Sequence, residues 1–333
     1  MIRDRLGVLA LALTPAVAAA HHGVASLGAA GLEGPGAPVI TSSAAPLPKG
    51  SGLLYLKADY ANYETFTGAR DRESDYDLFS MAGVGYGFTS WFSAYAFLPY
   101  YVKSAESGAD TAEGSKDHQG FADVSFTGVL AFKYDDGFKL VPERESLDDL
   151  EDWHFSLYAG FSIPTGDANV PDAAGAIDPG QATGFGEPSF SVGLTTTKQL
   201  TDVDTWVSEL SYLWFIENEY DDGSTVRFGP ELRLNTSWVR KLHADAETKF
   251  RLDGVIEASY LNLGRDKEDG RGAQATGGQI LYLTPGVRFY KDSFSVAVGV
   301  MLPVWKDLNE EADQQGSEGL EDYRLVASFS YLF

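Results

Sequence analysis

A chain of 333 residues with 48 acidic and 25 basic side chains carries a formal net charge of −23 and contains no cysteine. So negative a surface argues against nucleic acid and anionic lipid headgroups as direct partners, and the missing thiol excludes disulfide staples and cysteine chemistry. Beyond Ala20 no uninterrupted apolar run of about 18 residues occurs, so no transmembrane helix is expected there.

Arg3 and Arg5 open the chain, Leu6 to Leu13 (LGVLALAL) is apolar, and VAAA at 17–20 offers small residues for cleavage. This layout predicts a secretory signal peptide over 1–20, too short to span a bilayer as a helix. Its removal takes Arg3, Arg5 and Asp4 away and brings the net charge to −24. Residues 21–50 are rich in Gly, Ala, Pro and Ser and lack any period of 2 or 3.6. They predict an irregular segment, either disordered in the periplasm or tucked into a lumen. His21 and His22 form a candidate metal site within it. If cleavage follows Ala19, the free amine, two amides and the third-position imidazole of Ala20-His21-His22 would suit square-planar Cu(II) or Ni(II). Two histidines without a role beside a cleavage site are the reading the sequence favours. No cofactor is expected.

From Ser51 onward, segments of alternating polarity follow one another to the last residue, and 51–333 is expected to be one domain. They run 52–65, 76–88, 91–103, 120–133, 153–164 and 187–198, then 205–217, 225–239, 249–262, 279–290, 294–305 and 322–333. In 153–164, Trp153, Phe155, Leu157, Ala159 and Phe161 oppose His154, Ser156 and Tyr158. In 225–239, Val226, Phe228, Leu232, Leu234 and Trp238 oppose Arg227, Glu231 and Arg233. In 249–262, Phe250, Leu252, Ile256 and Tyr260 oppose Arg251, Asp253 and Glu257. The segment 91–103 is apolar on both faces, which leaves its register open. Such alternation puts one greasy and one polar face on each strand.

The spacers sort as well. Connections after the odd segments are mostly long and acidic, whereas FTS, KQLTDVD and YKDS after the second, sixth and tenth are tight. Short turns on one side and long loops on the other are the pattern of an even-stranded outer-membrane barrel with both termini in the periplasm. The stretch 134–152, YDDGFKLVPERESLDDLED, is too long for its side; it weakens the register or marks a periplasmic feature. The predicted fold is therefore all-β: a transmembrane antiparallel up-and-down barrel of about 12 strands, closed by its C-terminal strand, in the Gram-negative outer membrane. A secreted β-sandwich also alternates, but its strands run about 5–6 residues against the 9–11 or so of a tilted membrane strand.

On the inward face fall Lys57, Asp59, Asp77, Glu209, Arg227, Glu231, Arg233, Arg251, Asp253, Glu257, Arg288 and Arg324. Those on neighbouring segments are expected within cross-strand reach, either as a transverse field selecting solutes or as salt bridges filling a small lumen. His154 and Ser156 share that face, and their spacing is similar to the outer-membrane phospholipase barrel. Leu157 and Tyr158 follow where that enzyme has Asn-Gly, and its pair faces lipid, so a hydrolase is the disfavoured alternative. The acidic runs Glu217–Asp222 and Asp307–Asp322 are read as solvated loop tips able to bridge lipopolysaccharide through Ca²⁺ or Mg²⁺.

Phe329, Tyr331 and Phe333, at steps of two to the chain end, resemble the carboxy-terminal signal of Gram-negative outer-membrane barrels, which implies the barrel-assembly machinery as a partner. FSIPTGD at 161–167, GFGEPSFSVGL at 184–194 and the lead-in HHGVASLGAAGLEGPGAP resemble an outer-membrane transporter family named after the meta-pathway of phenol degradation. The resemblance spans essentially 50–333. It implies a channel for passive passage of small molecules, aromatic or apolar ones among them, in a bilayer of outer-membrane lipid and lipopolysaccharide. A structural or adhesive barrel without transport is the further alternative.

Overall fold

The computed structural model describes residues 36–63, 72–107, 116–143, 151–171, 177, 179–273, 276–309 and 321–333. The expected signal peptide, His21 and His22 lie outside them. In chain order the strands are β1 (Gly52–Tyr63), β2 (Arg72–Gly87), β3 (Phe92–Ser107), β4 (Lys116–Phe121), β5 (Val124–Tyr134) and β6 (Phe138–Leu140). Next come β7 (Trp153–Ile163), β8 (Ser189–Gln199), β9 (Asp204–Phe215), β10 (Asn218–Glu219), β11 (Thr225–Arg227) and β12 (Glu231–Asp245). The last are β13 (Phe250–Leu263), β14 (Lys267–Glu268), β15 (Arg271–Gly272), β16 (Gly278–Lys291), β17 (Phe294–Leu308) and β18 (Glu321–Leu332).

Each long strand pairs antiparallel with the next, β3 pairs with both β4 and β5, and β18 pairs with β1. With β4 and β5 as two parts of one stave, the ring has twelve staves and closes through β18 and β1, while among the described residues β4 pairs along one side, with β3. The polarity is inside out relative to a soluble protein. Leu56, Val84, Leu157, Trp238, Ile256 and Val304 are exposed on the outside, while Asp253 and Glu257 are fully buried inside. That inversion rules out the sandwich, whose greasy faces would pack against each other.

Register at the closure runs from Leu53↔Leu332 through Leu56↔Phe329 to Asn62↔Tyr323, and Gly52 and Phe333 exchange both backbone hydrogen bonds. Unpaired amides in hydrocarbon cost several kcal/mol each. Deleting Phe329–Phe333 is therefore expected to abolish the folded, heat-shiftable gel band of the refolded chain, whereas Tyr331→Leu, which preserves backbone pairing, keeps it. A truncated chain that still shifts on boiling would contradict closure through this seam.

Both ends of the barrel sequence lie with the tight turns at 88–91, 200–203, 246–249 and 292–293, and the long connections gather at the other end. The first end is periplasmic by the rule for such barrels. The long 134–152 connection turns back through Asp136 and Gly137 so that β6 pairs with β5. Its described part, up to residue 143, thus forms a hairpin on β5, and the register on either side of the connection holds.

The eighth stave departs from expectation. Pro230 has no amide hydrogen for a ladder, so the stave begins at Glu231 instead of 225. Val226 and Phe228, expected toward lipid, are buried with Phe215 and Tyr220 in a cap over the extracellular mouth. Arg227 stands exposed there on β11, opposite Lys267 of β14, and does not line the lumen. The run Glu217–Asp222 is likewise no bare loop tip: Asn218 and Tyr220 are buried in the same cap.

Candidate lumenal site

The inner wall combines an aromatic cluster with charged groups. On β1 to β3, Tyr55, Phe79, Met81, Tyr95 and Phe97 form a buried cluster, with the Tyr95 and Phe97 rings stacked 6.1 Å apart. This decides the open register of 91–103: the odd positions point inward. The charged groups expected on the inner face stand farther along β1 and β2 and on the later staves. Lys57 Nζ lies 3.0 Å from Asp59 Oδ2, Arg233 Nη2 2.5 Å from Glu231 Oε2, and Arg251 Nε 2.7 Å from Asp253 Oδ1. Arg324 pairs with Glu321, also buried. Each of these pairs lies on one strand, the first three between alternate residues, which share a face, and Arg324–Glu321 between residues three apart beside the irregularity in the β1–β18 register. Across strands Asp253 stands directly opposite Arg288 and Asp77 opposite Lys103, the cross-strand reach expected. Asp77 accepts a 2.7 Å hydrogen bond from the Tyr63 hydroxyl.

Glu209, Glu257 and Arg288 have a different business. Residues 36–48 enter the barrel from the periplasmic end, climb to mid-height and return. Gly36 N–H donates to Asp253 Oδ2 (3.2 Å), and Ala37 N–H to the Tyr290 hydroxyl (3.3 Å). Glu257 Oε1 accepts from the Val39 and Ile40 amides (2.6 and 2.8 Å), and its Oε2 from the Thr41 amide and hydroxyl (2.9 and 2.6 Å). Arg288 donates to the Pro38 carbonyl through Nε (3.1 Å) and Nη2. Farther along, Ser42 N–H reaches Glu209 Oε2 (3.2 Å), Ala44 N–H reaches Thr197 Oγ1 (2.9 Å) and Leu47 N–H reaches Ser93 Oγ (3.1 Å). Glu209 also accepts from the Tyr158 hydroxyl at 2.6 Å and from Asn235 Nδ2 at 3.3 Å.

The segment is extended because Pro38, Pro46 and Pro48 forbid helix and β-branched Val39, Ile40 and Thr41 favour an open backbone. Of the two placements left open for residues 21–50, the part from Gly36 takes the lumen. It occupies the bore: a gap of about 10 Å³ lies beside Ile40 and one of about 40 Å³ beyond it, and a vestibule of about 570 Å³ lies at the periplasmic mouth between Pro46, Arg251, Tyr290 and Leu332.

The extracellular mouth is held by one carboxylate that sequence reading passed over. Asp123, buried between β4 and β5, accepts from the amides of Thr165 (3.0 Å) and Gly166 (2.9 Å) at Oδ1, and of Phe185 (2.9 Å) at Oδ2. Thus FSIPTGD and GFGEP, distant in sequence, meet on Asp123, and a Cβ on Gly184 would lie 2.7 Å from its Oδ1. The loop between them bends inward, where Lys103 Nζ caps the Gly180 and Ala182 carbonyls at 3.1 and 2.5 Å. His154 and Ser156 are buried on the inner face as expected, and His154 Nδ1 is 3.1 Å from the Asp152 carbonyl, an acceptor that makes this nitrogen the donor.

Twelve tilted staves with a lipid-facing apolar band, short periplasmic turns, long capped outer loops and a charged interior define a transmembrane β-barrel of the outer-membrane type. The chain belongs to the family described as "Putative MetA-pathway of phenol degradation", which matches residues 67–306. No curated protein sequence matches it. Among solved structures, an outer membrane channel from Pseudomonas putida F1 is similar at 12% identity and a TM-score of 0.61, over 87% of this chain and 97% of that one. The NanC porin matches at 9% identity and a TM-score of 0.42 over 84% of this chain and 98% of that one. The beta domain of the Bordetella autotransporter BrkA matches at 10% and 0.45, over 86% and 100%.

Proposed function

We propose that the protein is a diffusion channel of the outer membrane, exported by residues 1–20, through which small molecules pass when residues 36–48 leave the bore. One observation carries this reading: the occluding element is a terminal segment held by hydrogen bonds, not a stave of the wall. Withdrawing it breaks no ladder. The vacated lumen would carry the aromatic cluster of β1–β3 together with charged groups, a lining suited to small molecules with an apolar face and a polar group. The family resemblance to transporters of aromatic or apolar compounds agrees with that wall. Phe329, Tyr331 and Phe333, all on the outer face, are the assembly signal in this reading, and the acidic outer loops its contact with lipopolysaccharide.

A lock tests it. A Cβ on Gly286 would sit 2.7 Å from Val39 Cγ2 and 2.8 Å from the Val298 carbonyl oxygen, so once the β17 backbone yields by a few tenths of an ångström cysteines at 39 and 286 are side-chain neighbours within the roughly 4.5 Å upper limit of a disulfide's Cβ separation. The chain has no cysteine of its own to compete. Val39→Cys with Gly286→Cys is expected to abolish unit currents in planar bilayers when oxidised and to restore them on reduction. Equal currents in both redox states would refute a plug that must leave.

A further inference from the structure

The way the plug is held says more than that it closes the bore. Of the seven residues from Gly36 to Ser42, all six that have an amide hydrogen donate it to a side chain of the wall. Arg288 donates to the carbonyl of Pro38, and the next peptide nitrogen, Val39, goes to Glu257. Glu257 and Arg288 therefore grip the two poles of one peptide group, and Glu257 reads the following two amides as well. Main-chain groups are being recognised, and every peptide carries them.

The side-chain demands of the seat are modest but defined. Gly286 and Gly299 face each other across β16 and β17, and the hollow they leave takes Val39, whose methyl carbons lie 2.7 and 3.2 Å from where their Cβ atoms would be. Ile40 packs beside Leu261, Ile280 and Tyr282. Glu257 is fully buried, and the donors it accepts from are all in the plug segment: three amides and the Thr41 hydroxyl. Once the segment leaves, water in the open bore hydrates that carboxylate, and a solute that offers two or three converging N–H donors in the plug's pattern can displace it.

We propose that the Glu257–Arg288 seat is the solute-binding site of the channel, that its ligands are short extended peptides or peptide-like amides with small apolar side chains, and that Pro38–Thr41 occupies it as a tethered competitor. The inference rests on the channel reading above. The tether changes only the local concentration of the segment, to the millimolar range for a short flexible link, so a free molecule with the same donor pattern competes from solution at comparable concentration. The periplasmic vestibule beside Arg251 and Tyr290 gives such a molecule room to approach.

The test uses a chain refolded from Ser43 onward, which keeps Leu47 in its cluster but empties the seat. The probe is acetyl-Ala-Pro-Val-Ile-Thr-Ser-amide, the sequence of residues 37–42, at up to millimolar concentration on the periplasmic side. Expected are stepwise blocks of the unit current and a measurable heat of binding in detergent. Methylating the probe at its Val and Ile nitrogens removes two donors and is expected to weaken both readouts by roughly tenfold or more. Glu257→Gln in the same chain does likewise. Open channels that ignore the peptide and give no heat of binding overturn the site and leave the channel standing. Correctly inserted protein without unit currents overturns the channel reading, and the calorimetry then still decides whether the seat binds peptide. Should the shortened chain fail to refold, full-length protein with Val39→Asp, which the glycine hollow rejects, vacates the seat for the same two measurements.

Discussion

Glu257→Gln in the full-length chain is expected to raise the open probability by on the order of a hundredfold, with unit conductance equal to that of the reduced cysteine variant. The carboxylate accepts four hydrogen bonds from the plug. Bonds to a charged acceptor contribute about 1.5–3 kcal/mol each and bonds to a neutral one about 1. Weakening all four shifts the closed-to-open balance by roughly 3 kcal/mol, which is about two decades in population. An amide in that place also turns its own N–H₂ toward one pair of donors, so the Thr41 amide loses its acceptor. The shape of the side chain is otherwise unchanged, and the barrel ladder does not involve it. Single-channel recording of wild type and variant under one voltage protocol measures the ratio. An open probability within twofold or so of wild type would mean that Glu257 does not hold the plug shut.

Asp123→Ala is the substitution expected to damage stability most without touching the wall. Three amides, those of Thr165, Gly166 and Phe185, lose their acceptor at once. Each buried N–H left unpaired costs about 1–3 kcal/mol, so the loss is about 3 kcal/mol or more. It is read as a lowered urea midpoint for refolded protein in lipid vesicles and as faster proteolysis between 164 and 188. Asp123→Asn keeps one acceptor oxygen and is expected to fall between wild type and the alanine variant. The Thr165 hydroxyl, which donates to the Ala122 carbonyl at 3.1 Å and accepts from the Val124 amide at 2.9 Å, remains to bridge the break between β4 and β5. The stave itself should therefore survive while its loop comes loose. An alanine variant with an unmoved midpoint and unchanged cleavage would strip Asp123 of its role.

Both predictions concern contacts that alternation cannot reveal. Which residues face oil is local information: in β17, Phe294, Val296, Val298, Val300, Leu302 and Val304 repeat at steps of two, and the strand has to lie where that face meets lipid. The same local rule located the inner charges from Lys57 to Arg324 and the seam between β1 and β18. It failed where both faces were apolar, at 91–103, since parity without contrast carries no direction. It failed again at Arg227, where two alternating runs separated by Gly229–Pro230 looked continuous although one belongs to the cap and the other to the wall.

What the sequence determined alone was thus the class of fold, the number of staves, the side on which the turns are short and the sign of each face, because all of these follow from period and spacing over a dozen residues. The occupant of the lumen, the ion pairs formed within single strands, and the convergence of two glycine motifs on Asp123 were decided only in three dimensions. Glu257 and its partners in the plug stand 216 to 218 positions apart, and no pattern within a strand encodes a hydrogen bond of that reach. It exists because closing the ring puts the middle of β13 across the bore from a segment that precedes the first strand.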